Sequence, residues 1–508
     1  MASLFFYIPV VLAVYLFTKH LLHKLQNLPP TPFSLPIFGH LYLFKRPLHR
    51  TLSKISHRYG PIVFLRFGSR PVILVSSLSV AEECFSKNDI IFANRPRLLI
   101  GKCLGYNFTT VAWSPYGDHW RNLRRISSLE LLSAHRIQTL SSLHLEEVKS
   151  LICGLLNRQD DIVDMRTAFS EFTLNLMMRM ISGKRYYGDN VSDLEEAKRF
   201  RHIQKETFRL SASTLGDYLQ FMRWFGNFKR WEKSMMELQR ERDGFMQSLI
   251  EEHKNQMKSG TCSTSKEGKK TLIEVLLKLQ ETEPEYYKDE LVRGLMLSML
   301  IGGTDTTSHT MEWSLSLLIN HPHVLKKAQA EIDKQVGHNR LVDESDLTQL
   351  PYLQSIINES LRMYPVAPLL VPHEASEKCV VGGFDIPAGT TLFVNAWAIQ
   401  NDPNIWEDPE SFKPERFGSG AKNGLKLNLM PFGSGRRGCP GENLARRIMG
   451  LVLGSLIQCF DWERPGAEMV DLTEGIGFSL PKAHPLLAKC RPRPNISSFL
   501  SKIGNNVA

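Results

Sequence analysis

The sequence predicts a mainly α-helical protein with small β-sheets, an α+β fold. Apolar residues recur at helical spacing over most of the chain, and strand-like runs are short. The amphipathic helical stretches lie around residues 117–132, 134–157, 229–257 and 287–320. The strand-like runs are 62–67 and 72–75, which predict a hairpin turning at Gly68-Ser69-Arg70, and 380–384 and 391–394, which predict a second small sheet.

The composition excludes several classes of protein. The 508 residues are 43% hydrophobic and 22% charged, as in a folded globular protein with a large core. No internal repeat is present, so a repeat array is excluded. The net charge of +10 favours an acidic partner or an anionic membrane surface. No basic run is interleaved with aromatic residues, so no nucleic-acid partner is expected.

The eight cysteines are scattered and form no C-x-x-C pair. This spacing predicts neither a zinc site nor a disulfide framework, and a reducing compartment is the simpler interpretation.

The N-terminal segment predicts an uncleaved membrane anchor. Residues 3–17 are apolar and are followed by Lys19 and Lys24. A removed signal peptide is disfavoured because no basic region precedes the apolar run and no small-residue cleavage site follows it. Positive charge on the C-terminal flank places the rest of the chain in the cytosol. The predicted organisation is a transmembrane anchor at 1–24, a proline-rich hinge at 25–40 and one main domain at 41–508.

A cysteine loop at residues 431–441 is the most informative stretch. Glycines surround Cys439, and a helical run begins at Glu442. A thiolate at a helix N-terminus is favoured by the helix dipole and the free N–H groups, which suits either a reactive cysteine or a metal ligand. The spacing of Gly433, Gly435 and Gly438 also matches a dinucleotide fingerprint. That alternative is disfavoured because prolines interrupt the loop and no βαβ unit surrounds it.

The longest predicted helix carries two adjacent glycines, Gly302 and Gly303, followed by Asp305 and Thr306. Each glycine costs about 1 kcal/mol against alanine in a helix interior, so the pair needs a reason. One interpretation is room for a flat ligand against the backbone, and the other is a notch for helix packing. Asp305 and Thr306 supply an acid and an alcohol where a proton could be needed, and the threonine hydroxyls can bond backward and bend the helix.

Two further pairs are spaced to share a helix face. Glu359 and Arg362 are three residues apart and can pair, and Arg416 offers a second guanidinium to the same carboxylate. A structural role is favoured because arginine does not give up its proton. Trp120 and Arg124 could hold an anionic group, or could be a surface arginine beside a half-buried tryptophan.

Together these motifs resemble those of the cytochrome P450 family, the haem-thiolate monooxygenases, over essentially the whole chain. The cysteine-loop pattern is met by Phe432, Gly435, Arg437, Cys439 and Gly441, and the helix motif by Gly302, Gly303, Asp305, Thr306 and Thr307. The E-x-x-R, P-E-R-F and W-x-x-x-R motifs are met by Glu359 with Arg362, residues 414–417, and Trp120 with Arg124. The resemblance implies the cytochrome P450 fold, with 41–508 as the haem-binding catalytic domain.

The resemblance also implies roles for individual residues. Cys439 would be the axial ligand of the iron of haem b, in a loop shaped by Phe432, Gly435 and Gly441. Arg437, Trp120, Arg124 and His373 would hold the haem propionates, and Asp305 and Thr306 would deliver protons. Glu359, Arg362 and Arg416 would be structural. Expected substrate contacts, largely apolar, are Leu99, Ile100, Met299, Gly302, Val366, Ala367, Leu369, Leu370 and Phe478.

A likeness to microsomal plant enzymes, including the group with isoflavone hydroxylases, implies the setting and the reaction. The enzyme would be a single-pass protein of the endoplasmic reticulum membrane that faces the cytosol. It would use O2 and electrons from NADPH through a separate cytochrome P450 reductase, with cytochrome b5 as a second donor, to hydroxylate a small, aromatic, isoflavonoid-like metabolite. The alternatives are oxidation of a terpenoid or lignan, including ring or bridge formation, and a haem-thiolate isomerase or dehydratase that needs no reductase.

Overall fold

The computed structural model describes residues 26–158, 161–188, 191, 193–210, 217–219, 222, 226–259, 270–418, 429–477 and 479–505. The anchor predicted at residues 1–24 lies outside this part of the chain. Among the helices that are described, none combines the length and the apolar character needed to cross a bilayer. The α+β prediction is confirmed, since helices account for most of the described residues and the sheets are small.

The α-helices are, in chain order, α1 Leu48–Tyr59, α2 Leu78–Phe85, α3 Leu99–Cys103, α4 Asp118–Ile126, α5 Ala134–Thr139, α6 Ser141–Leu156, α7 Met165–Ser182, α8 Leu194–Leu210, α9 Gly226–Lys258, α10 Leu272–Thr282, α11 Asp289–Gly303, α12 Asp305–Asn320, α13 Pro322–Gln335, α14 Pro351–Met363, α15 Ala396–Gln400, α16 Glu442–Cys459 and α17 Ser497–Asn505. All four predicted helical stretches are confirmed. The stretch around 117–132 is α4 continued by a π-helical turn at Ser127–Leu131, and the stretch around 229–257 is the single helix α9. The other two stretches each contain a break.

The β-strands are β1 Ile62–Phe67, β2 Arg70–Val75, β3 Val163–Asp164, β4 His373–Glu374, β5 Cys379–Val381, β6 Phe384–Ile386, β7 Thr391–Val394, β8 Phe460–Glu463 and β9 Leu487–Pro492. They form a four-stranded sheet in the order β1-β2-β7-β4, a three-stranded sheet in the order β3-β9-β8, and the hairpin β5-β6. The predicted hairpin of β1 and β2 is confirmed, with Ile62 opposite Val75 and Phe67 opposite Arg70.

The chain divides into two compact units, each described separately below. The β-rich unit contains the residues up to 96, 369–399 and 434–437, and the helical unit contains 97–368, 400–433 and the residues from 438 onward. The four-stranded sheet and the β5–β6 hairpin belong to the first unit, and the three-stranded sheet belongs to the second.

The second sheet predicted from the sequence was wrong in its pairing. Val380 lies in β5, which pairs with β6 across Gly382 and Gly383. Both glycines have positive φ angles, 56° and 82°, which are typical of a two-residue hairpin turn. Residues 391–394 instead form β7, which runs parallel to β2 in the first sheet, and all four are buried. Burial on both faces is expected for a strand in the interior of a sheet.

In the helical unit, α12 is the most enclosed helix, and every residue from Thr310 to Asn320 is buried. It packs against α7, α14 and α16. Trp313 stacks on Tyr364 with ring centroids 3.9 Å apart, and its indole N–H donates to the Leu480 carbonyl at 2.9 Å. A helix held on several sides in this way gives a fixed position to the residues at its N-terminus, Asp305 and Thr306.

The helix predicted across 287–320 is interrupted at Thr304. There the backbone leaves the helical region, with φ −93° and ψ −81°, so α11 ends at Gly303 and α12 begins at Asp305. The Thr306 hydroxyl donates to the Gly302 carbonyl at 2.8 Å, across the break. This is the backward threonine bond expected from the sequence, and it satisfies a carbonyl at the end of α11.

Candidate functional site

The cysteine loop presents one sulfur atom at the start of α16. Cys439 is exposed, whereas the other cysteines in the described ranges are buried. The Cys439 N–H donates to the Phe432 carbonyl at 2.8 Å, and Gly433 has a positive φ of 70° with its N–H on the Met430 carbonyl at 3.1 Å. These backbone bonds close the loop, so the position of the sulfur is set by the main chain.

Some groups around Cys439 raise the pKa of its thiol, and others lower it. Although the Cys439 side chain is accessible, the many protein atoms around it displace water, and this desolvation raises the pKa of Cys439. The N–H groups of Gly441 and Glu442 and the positive charge of Arg124 act to lower it. The two N–H groups are among the unpaired donors at the first turn of α16. Because Gly441 has no side chain, no side-chain atom at this position contacts the sulfur; a Cβ there would lie 3.8 Å from it. The net rise in pKa applies to a thiol without a metal, and a bound cation reverses this preference.

The two glycines at the end of α11 serve different purposes. A Cβ on Gly303 would lie 2.8 Å from Met177 Cε of α7, so Gly303 packs closely against α7, and a side chain there would displace the end of Met177. A Cβ on Gly302 would meet no atom within 4 Å. Gly303 therefore lies at a close helix contact, as the packing interpretation expects, and Gly302 borders open space, which room for a ligand would require.

Asp305 and His309 lie one turn apart at the start of α12, and burial shifts their pKa values in opposite directions. Burial raises the pKa of Asp305 from 3.8 to about 7. The pKa of His309 falls from 6.5 to about 4, mainly because of burial and also because of the nearby charge of Arg166. The ring of His309 contacts the Ser479 hydroxyl through Nδ1 at 3.0 Å. Neutral forms are thus favoured at both positions, since burial penalises the charged form of either group.

Trp120 and Arg124 lie on α4 as predicted, and both side chains donate to backbone carbonyl groups. The Trp120 indole N–H donates to the Val111 carbonyl at 3.1 Å. Arg124 Nη1 donates to the Gly438 carbonyl at 2.6 Å, directly before Cys439. Arg124 thus supports the cysteine loop and brings positive charge close to the sulfur.

The β-rich unit contains a basic cluster of Arg95, His373 and Arg437. Arg437 Nε donates to the Ala93 carbonyl at 2.6 Å, and His373 Nδ1 lies 2.7 Å from the Phe92 carbonyl. Burial, followed by the repulsion of Arg437, lowers the pKa of Arg95, and burial with the repulsion of Arg95 and Arg437 lowers the pKa of His373. Like charges gathered in this way favour an anionic group.

Arg95 was missed as a site residue in the sequence analysis. Its Nη1 donates to the Val371 and Pro372 carbonyls, both at 2.8 Å. These partners lie far along the chain, and the only local signal is an arginine in a short Asn94-Arg95-Pro96-Arg97 run.

Gly435 also belongs to the β-rich unit and needs to be glycine. Its φ is +68°, and a Cβ there would lie 2.8 Å from the Phe85 carbonyl oxygen. The next residue, Arg436, donates its N–H to Asp89 Oδ1 at 3.0 Å. The loop is therefore held against the end of α2 through its backbone.

Glu359, Arg362 and Arg416 are brought together in the helical unit. Arg362 binds both carboxylate oxygens of Glu359, at 2.8 and 2.9 Å, and donates to the Gln400 and Pro409 carbonyls. Arg416 Nε reaches Glu359 Oε1 at 3.2 Å. Glu359 and Arg362 have no exposed side-chain surface.

The expected substrate contacts are divided between the two units. In the helical unit, Leu99, Met299 and Val366 are buried, and Ile100 and Ala367 are partly buried. Leu369 and Leu370 are half-buried in the β-rich unit. Phe478 lies outside the described residues.

The residues present fit a haem held by a cysteine thiolate. In the helical unit, the donor set is one accessible sulfur with two backbone N–H groups directed at it. In the same unit, the buried Thr304 hydroxyl has no hydrogen-bond partner among the described residues, which leaves an unsatisfied polar atom next to Gly302 and Asp305 in the chain. The β-rich unit, taken by itself, contains a cluster of basic groups of the kind that suits carboxylates.

Comparison with known proteins gives the same answer. A family model described as Cytochrome P450 matches residues 29–488. The chain is 50% identical over 497 residues to cytochrome P450 81E8 of Medicago truncatula, covering 97% of this chain and 96% of that protein. It is 47% identical to the isoflavone 3'-hydroxylase of the same species, covering 97% and 99% of the two chains.

Two further comparisons cover other functions and the fold. The identity is 47% to (+)-piperitol/(+)-sesamin synthase of Sesamum radiatum, covering 95% of this chain and 94% of that protein. A solved zebrafish cytochrome P450 with progesterone matches with a TM-score of 0.75 at 27% identity, covering 88% of this chain and 100% of the other. The chain therefore belongs to the cytochrome P450 family and is a haem-thiolate monooxygenase that oxidises a small molecule with electrons from a redox partner.

Proposed function

We propose that this monooxygenase hydroxylates a small phenolic metabolite of the isoflavonoid type. The observation that carries the reaction class is the exposed Cys439 sulfur at the start of α16, with the N–H groups of Gly441 and Glu442 directed at it. The substrate class is supported by the relatives named isoflavone hydroxylases, which are 45–47% identical to this chain.

Cys439 is the proposed axial ligand of haem b. When bound, the haem supplies activation of O2, with one oxygen atom inserted into a C–H bond and the other released as water. The N–H groups of Gly441 and Glu442, with the charge of Arg124, stabilise negative charge on the sulfur. Phe432 and Gly435 maintain the conformation of the loop. The Phe432 carbonyl accepts the Cys439 N–H, and Gly435 allows the backbone to lie close to the Phe85 carbonyl.

The haem propionates need positive charge and hydrogen-bond donors. In the β-rich unit, Arg437 and His373 are proposed to supply them, together with Arg95, whose charge lies close to both. In the helical unit, the indole N–H of Trp120 and the guanidinium of Arg124 lie on the same face of α4 and are proposed to donate to a propionate. A bound propionate would compete with the carbonyl groups that these donors now contact.

Asp305 and Thr306 are the proposed proton donors. A pKa of about 7 leaves the Asp305 carboxyl about half protonated at neutral pH, which is the condition for efficient proton transfer. The Thr306 hydroxyl donates its hydrogen to the Gly302 carbonyl. The hydroxyl oxygen of Thr306 can therefore accept a hydrogen bond from a group that carries a proton to the site. Gly302 leaves open space next to both groups.

The substrate is proposed to lie against Leu99, Ile100, Met299, Gly302, Val366, Ala367, Leu369, Leu370 and Phe478. Nearly all of these residues are apolar, which suits a flat aromatic ring system.

The proposed setting is the endoplasmic reticulum membrane, with residues 1–24 as a single-pass anchor and the catalytic domain in the cytosol. NADPH–cytochrome P450 reductase is the proposed electron donor, with cytochrome b5 as a second donor. Arg446 and Arg447, near the cysteine loop on α16, are candidates for contact with an acidic partner. They pair with Glu442 and Glu344, so they are part of a mixed-charge surface.

A second candidate function is oxidation of a lignan with ring or bridge formation. It is favoured by the relative named (+)-piperitol/(+)-sesamin synthase, which is as similar to this chain as the isoflavone 3'-hydroxylase is. Product mass separates the two, because hydroxylation adds one oxygen atom and bridge formation between existing groups removes two hydrogen atoms.

The reaction class is tested with full-length protein in membranes containing the reductase. We expect turnover of a phenolic panel to require both O2 and NADPH, and the product to carry one oxygen atom from 18O2. Turnover in the absence of either would instead support a haem-thiolate isomerase or dehydratase.

The ligand is tested by Cys439→Ala, which we expect to abolish the thiolate-specific absorption band of the reduced, CO-bound protein. Cys153→Ala, a buried cysteine of α6, is the matched control and should keep the band. A normal band in Cys439→Ala would show that another residue holds the iron.

The role of Thr306 is tested by Thr306→Ala, which we expect to divert electrons from NADPH to hydrogen peroxide. Thr310→Ala is the matched control, because the Thr310 hydroxyl makes the same backward bond, at 2.8 Å to the Thr306 carbonyl, one turn further along α12. Equal coupling of NADPH use to product in both variants would contradict a role for Thr306 in proton delivery.

A further inference from the structure

Arg242 is a fully buried cation without a hydrogen-bond partner in the described structure. It lies in the middle of α9 and is 1% exposed, and its Nε, Nη1 and Nη2 all lack acceptors. Burial lowers its pKa to about 10, which still leaves the guanidinium protonated at neutral pH. Its charge is attracted by the nearby Asp243, yet none of its N–H groups is hydrogen-bonded. Buried donors that make no hydrogen bond are costly, so they call for an explanation.

The position of Arg242 in the helix makes its burial unusual. The buried face of α9 is formed by residues at helical spacing, which apart from Arg242 and His253 are the apolar Met235, Leu238, Phe245, Met246, Leu249 and Ile250. A leucine or methionine at 242 would continue this apolar stripe. The arginine therefore brings five donors into a layer that otherwise packs as core.

A buried acceptor lies one turn away on the same face. Gln239 donates its Nε2 to Asp243 Oδ1 at 3.2 Å, which fixes the amide orientation and leaves Oε1 buried without a donor. Asp243 also accepts from the Tyr106 hydroxyl and from Arg293 Nε, so it is already engaged and makes no hydrogen bond with Arg242. Residues three apart on a helix are neighbours, so the free acceptor and the free donors adjoin.

The neighbouring helix α8 adds a second buried acceptor at this level. Contacts between α8 and α9 pair Arg199 with Phe245, His202 with Glu241, and Arg209 with Trp231, so the two helices are antiparallel. Gln204 falls between the last two pairs, at the level of residues 238–241. Its Oε1 is also buried without a donor.

Contacts with α11 relate this polar group to Gly302. Asp243 pairs with Arg293, and Lys254 pairs with Asp289, so lower numbers on α9 correspond to higher numbers on α11. The step from Arg293 to Gly302 corresponds to about 13 Å along the helix axis. This separation along the helix is of the size that a flat polycyclic molecule spans.

We propose that Arg242 and Gln239, with Gln204 opposite, form a binding site for a phenolic hydroxyl at the end of the substrate remote from the oxidised carbon. A phenolic hydroxyl accepts from the guanidinium and donates to an amide oxygen, so it satisfies both kinds of unpaired group at once. A carboxylate would satisfy Arg242 but would face the amide oxygens with negative charge. The site rests on the proposed function, and it adds a polar anchor to a pocket that the sequence predicted to be almost wholly apolar.

The test compares matched ligand pairs that share a skeleton and differ only in a phenol against its methyl ether. Isoflavone, lignan and simpler bicyclic pairs are titrated into the full-length ferric protein, and the dissociation constant is read from the ligand-induced shift of the haem absorption band. We expect the wild type to bind the phenol of at least one pair about tenfold to hundredfold more tightly, as for a hydrogen bond to a charged group. Arg242→Met should lose this preference while still binding the ether.

Two further variants make the test independent of the folding of one protein. Gln239→Met removes the acceptor and keeps the charge, and it should reduce the preference. Leu238→Met is the matched control, since it repacks the same helix face without removing a polar group, and it should keep the wild-type preference. In turnover, Arg242→Met should raise KM for the phenol more than it lowers kcat, because the lost contact is made equally in the ground and transition states.

The outcomes separate this inference from the proposed function. If Arg242→Met weakens phenol and ether equally, or if the wild type shows no preference within any pair it binds, the phenol site is wrong while the enzyme class stands. Tighter binding of a carboxylate analogue than of the phenol would overturn the phenolic assignment. A wild type that lacks the thiolate CO band, or that binds no pair, would overturn the proposed function and the inference with it.

Discussion

Arg362 and Arg242 are both buried guanidinium groups of the helical unit, and they differ in what surrounds them. Arg362 is held by both carboxylate oxygens of Glu359 and by two backbone carbonyls. Arg242 has no acceptor on any of its three nitrogens within the described part of the chain. The first is a completed structural charge cluster, and the second is a charge that the fold leaves unsatisfied.

The difference teaches how to separate structural from functional buried charge. Removing one member of a completed pair leaves the other charge buried and uncompensated, which is strongly destabilising. Removing a buried cation that makes no hydrogen bond relieves a desolvation cost instead, and at Arg242 it loses only the attraction of the nearby Asp243. Mutation of Glu359 should therefore lower the free energy of unfolding strongly, and mutation of Arg242 should leave it unchanged. Mutation of Asp305 or His309 on α12 should change how the free energy of unfolding depends on pH.

The largest effect is expected for Glu359→Gln. The substitution leaves Arg362 and Arg416 with a neutral amide in place of a shared carboxylate, and we expect a loss of about 3–5 kcal/mol in the free energy of unfolding. Denaturant unfolding followed by circular dichroism measures it, and the yield of haem-loaded protein should fall in parallel.

The control for this change is Glu415, which directly precedes Arg416 of the same cluster. Glu415 is more than half exposed and pairs with Lys327 at 2.8 Å. Glu415→Gln should cost less than about 1 kcal/mol, as exposed pairs do. Similar losses in the two variants would mean that burial does not decide the strength of these ion pairs.

The next effect is a change in the pH dependence of stability in Asp305→Asn. The folded-state pKa of Asp305 is raised to about 7 from 3.8, so between these values the folded protein keeps a proton that the unfolded chain has released. Its contribution to stability is full below pH 4 and is lost as pH rises to 7, by at most about 1.4 kcal/mol for each pH unit. The variant should lose this slope when unfolding is measured from pH 4 to 8, and an unchanged slope would contradict the buried-carboxyl interpretation.

A smaller and opposite slope is expected from His309. Its folded-state pKa is lowered to about 4 from 6.5, so between these values the unfolded chain binds the extra proton and stability is lost as pH falls. In the wild type the two slopes oppose each other between pH 4 and 6.5. His309→Gln should therefore make the protein relatively more stable near pH 4.5, as measured by thermal unfolding, and should leave stability at pH 8 nearly unchanged.

Local patterns were enough to predict the helices, the β1–β2 hairpin and the cysteine loop. They did not predict which strands pair, because β7 finds its partner at a distance: Val72 lies opposite Thr391. The β-branched and aromatic residues among 391–394 mark a strand, while the neighbour of that strand depends on the whole fold. The break at Thr304 was also missed, since its neighbours continue the helical spacing and only the backbone angles reveal it.

The sequence carried a signal for Arg242 that pattern reading alone does not resolve. An arginine between apolar positions at helical spacing is typical of the edge of an amphipathic face, where the side chain extends into water. Burial of this one follows from the packing of other helices, among them α8 and α11, against α9. Whether a charge has partners depends on such long-range packing, which is why motifs identified Glu359 and Arg362 and not Arg242.

The smallest effect on stability is expected for Arg242→Met. Methionine continues the apolar face of Leu238, Phe245 and Met246 and removes a cation that has no hydrogen bond to lose. We expect no loss in the free energy of unfolding without ligand, measured beside Glu359→Gln under the same conditions. A loss of more than about 2 kcal/mol would show that Arg242 supports the fold. The distinction between satisfied and unsatisfied buried charge would then fail at the residue that defines it, whereas an unchanged stability together with a lost preference for phenols would assign Arg242 to the ligand.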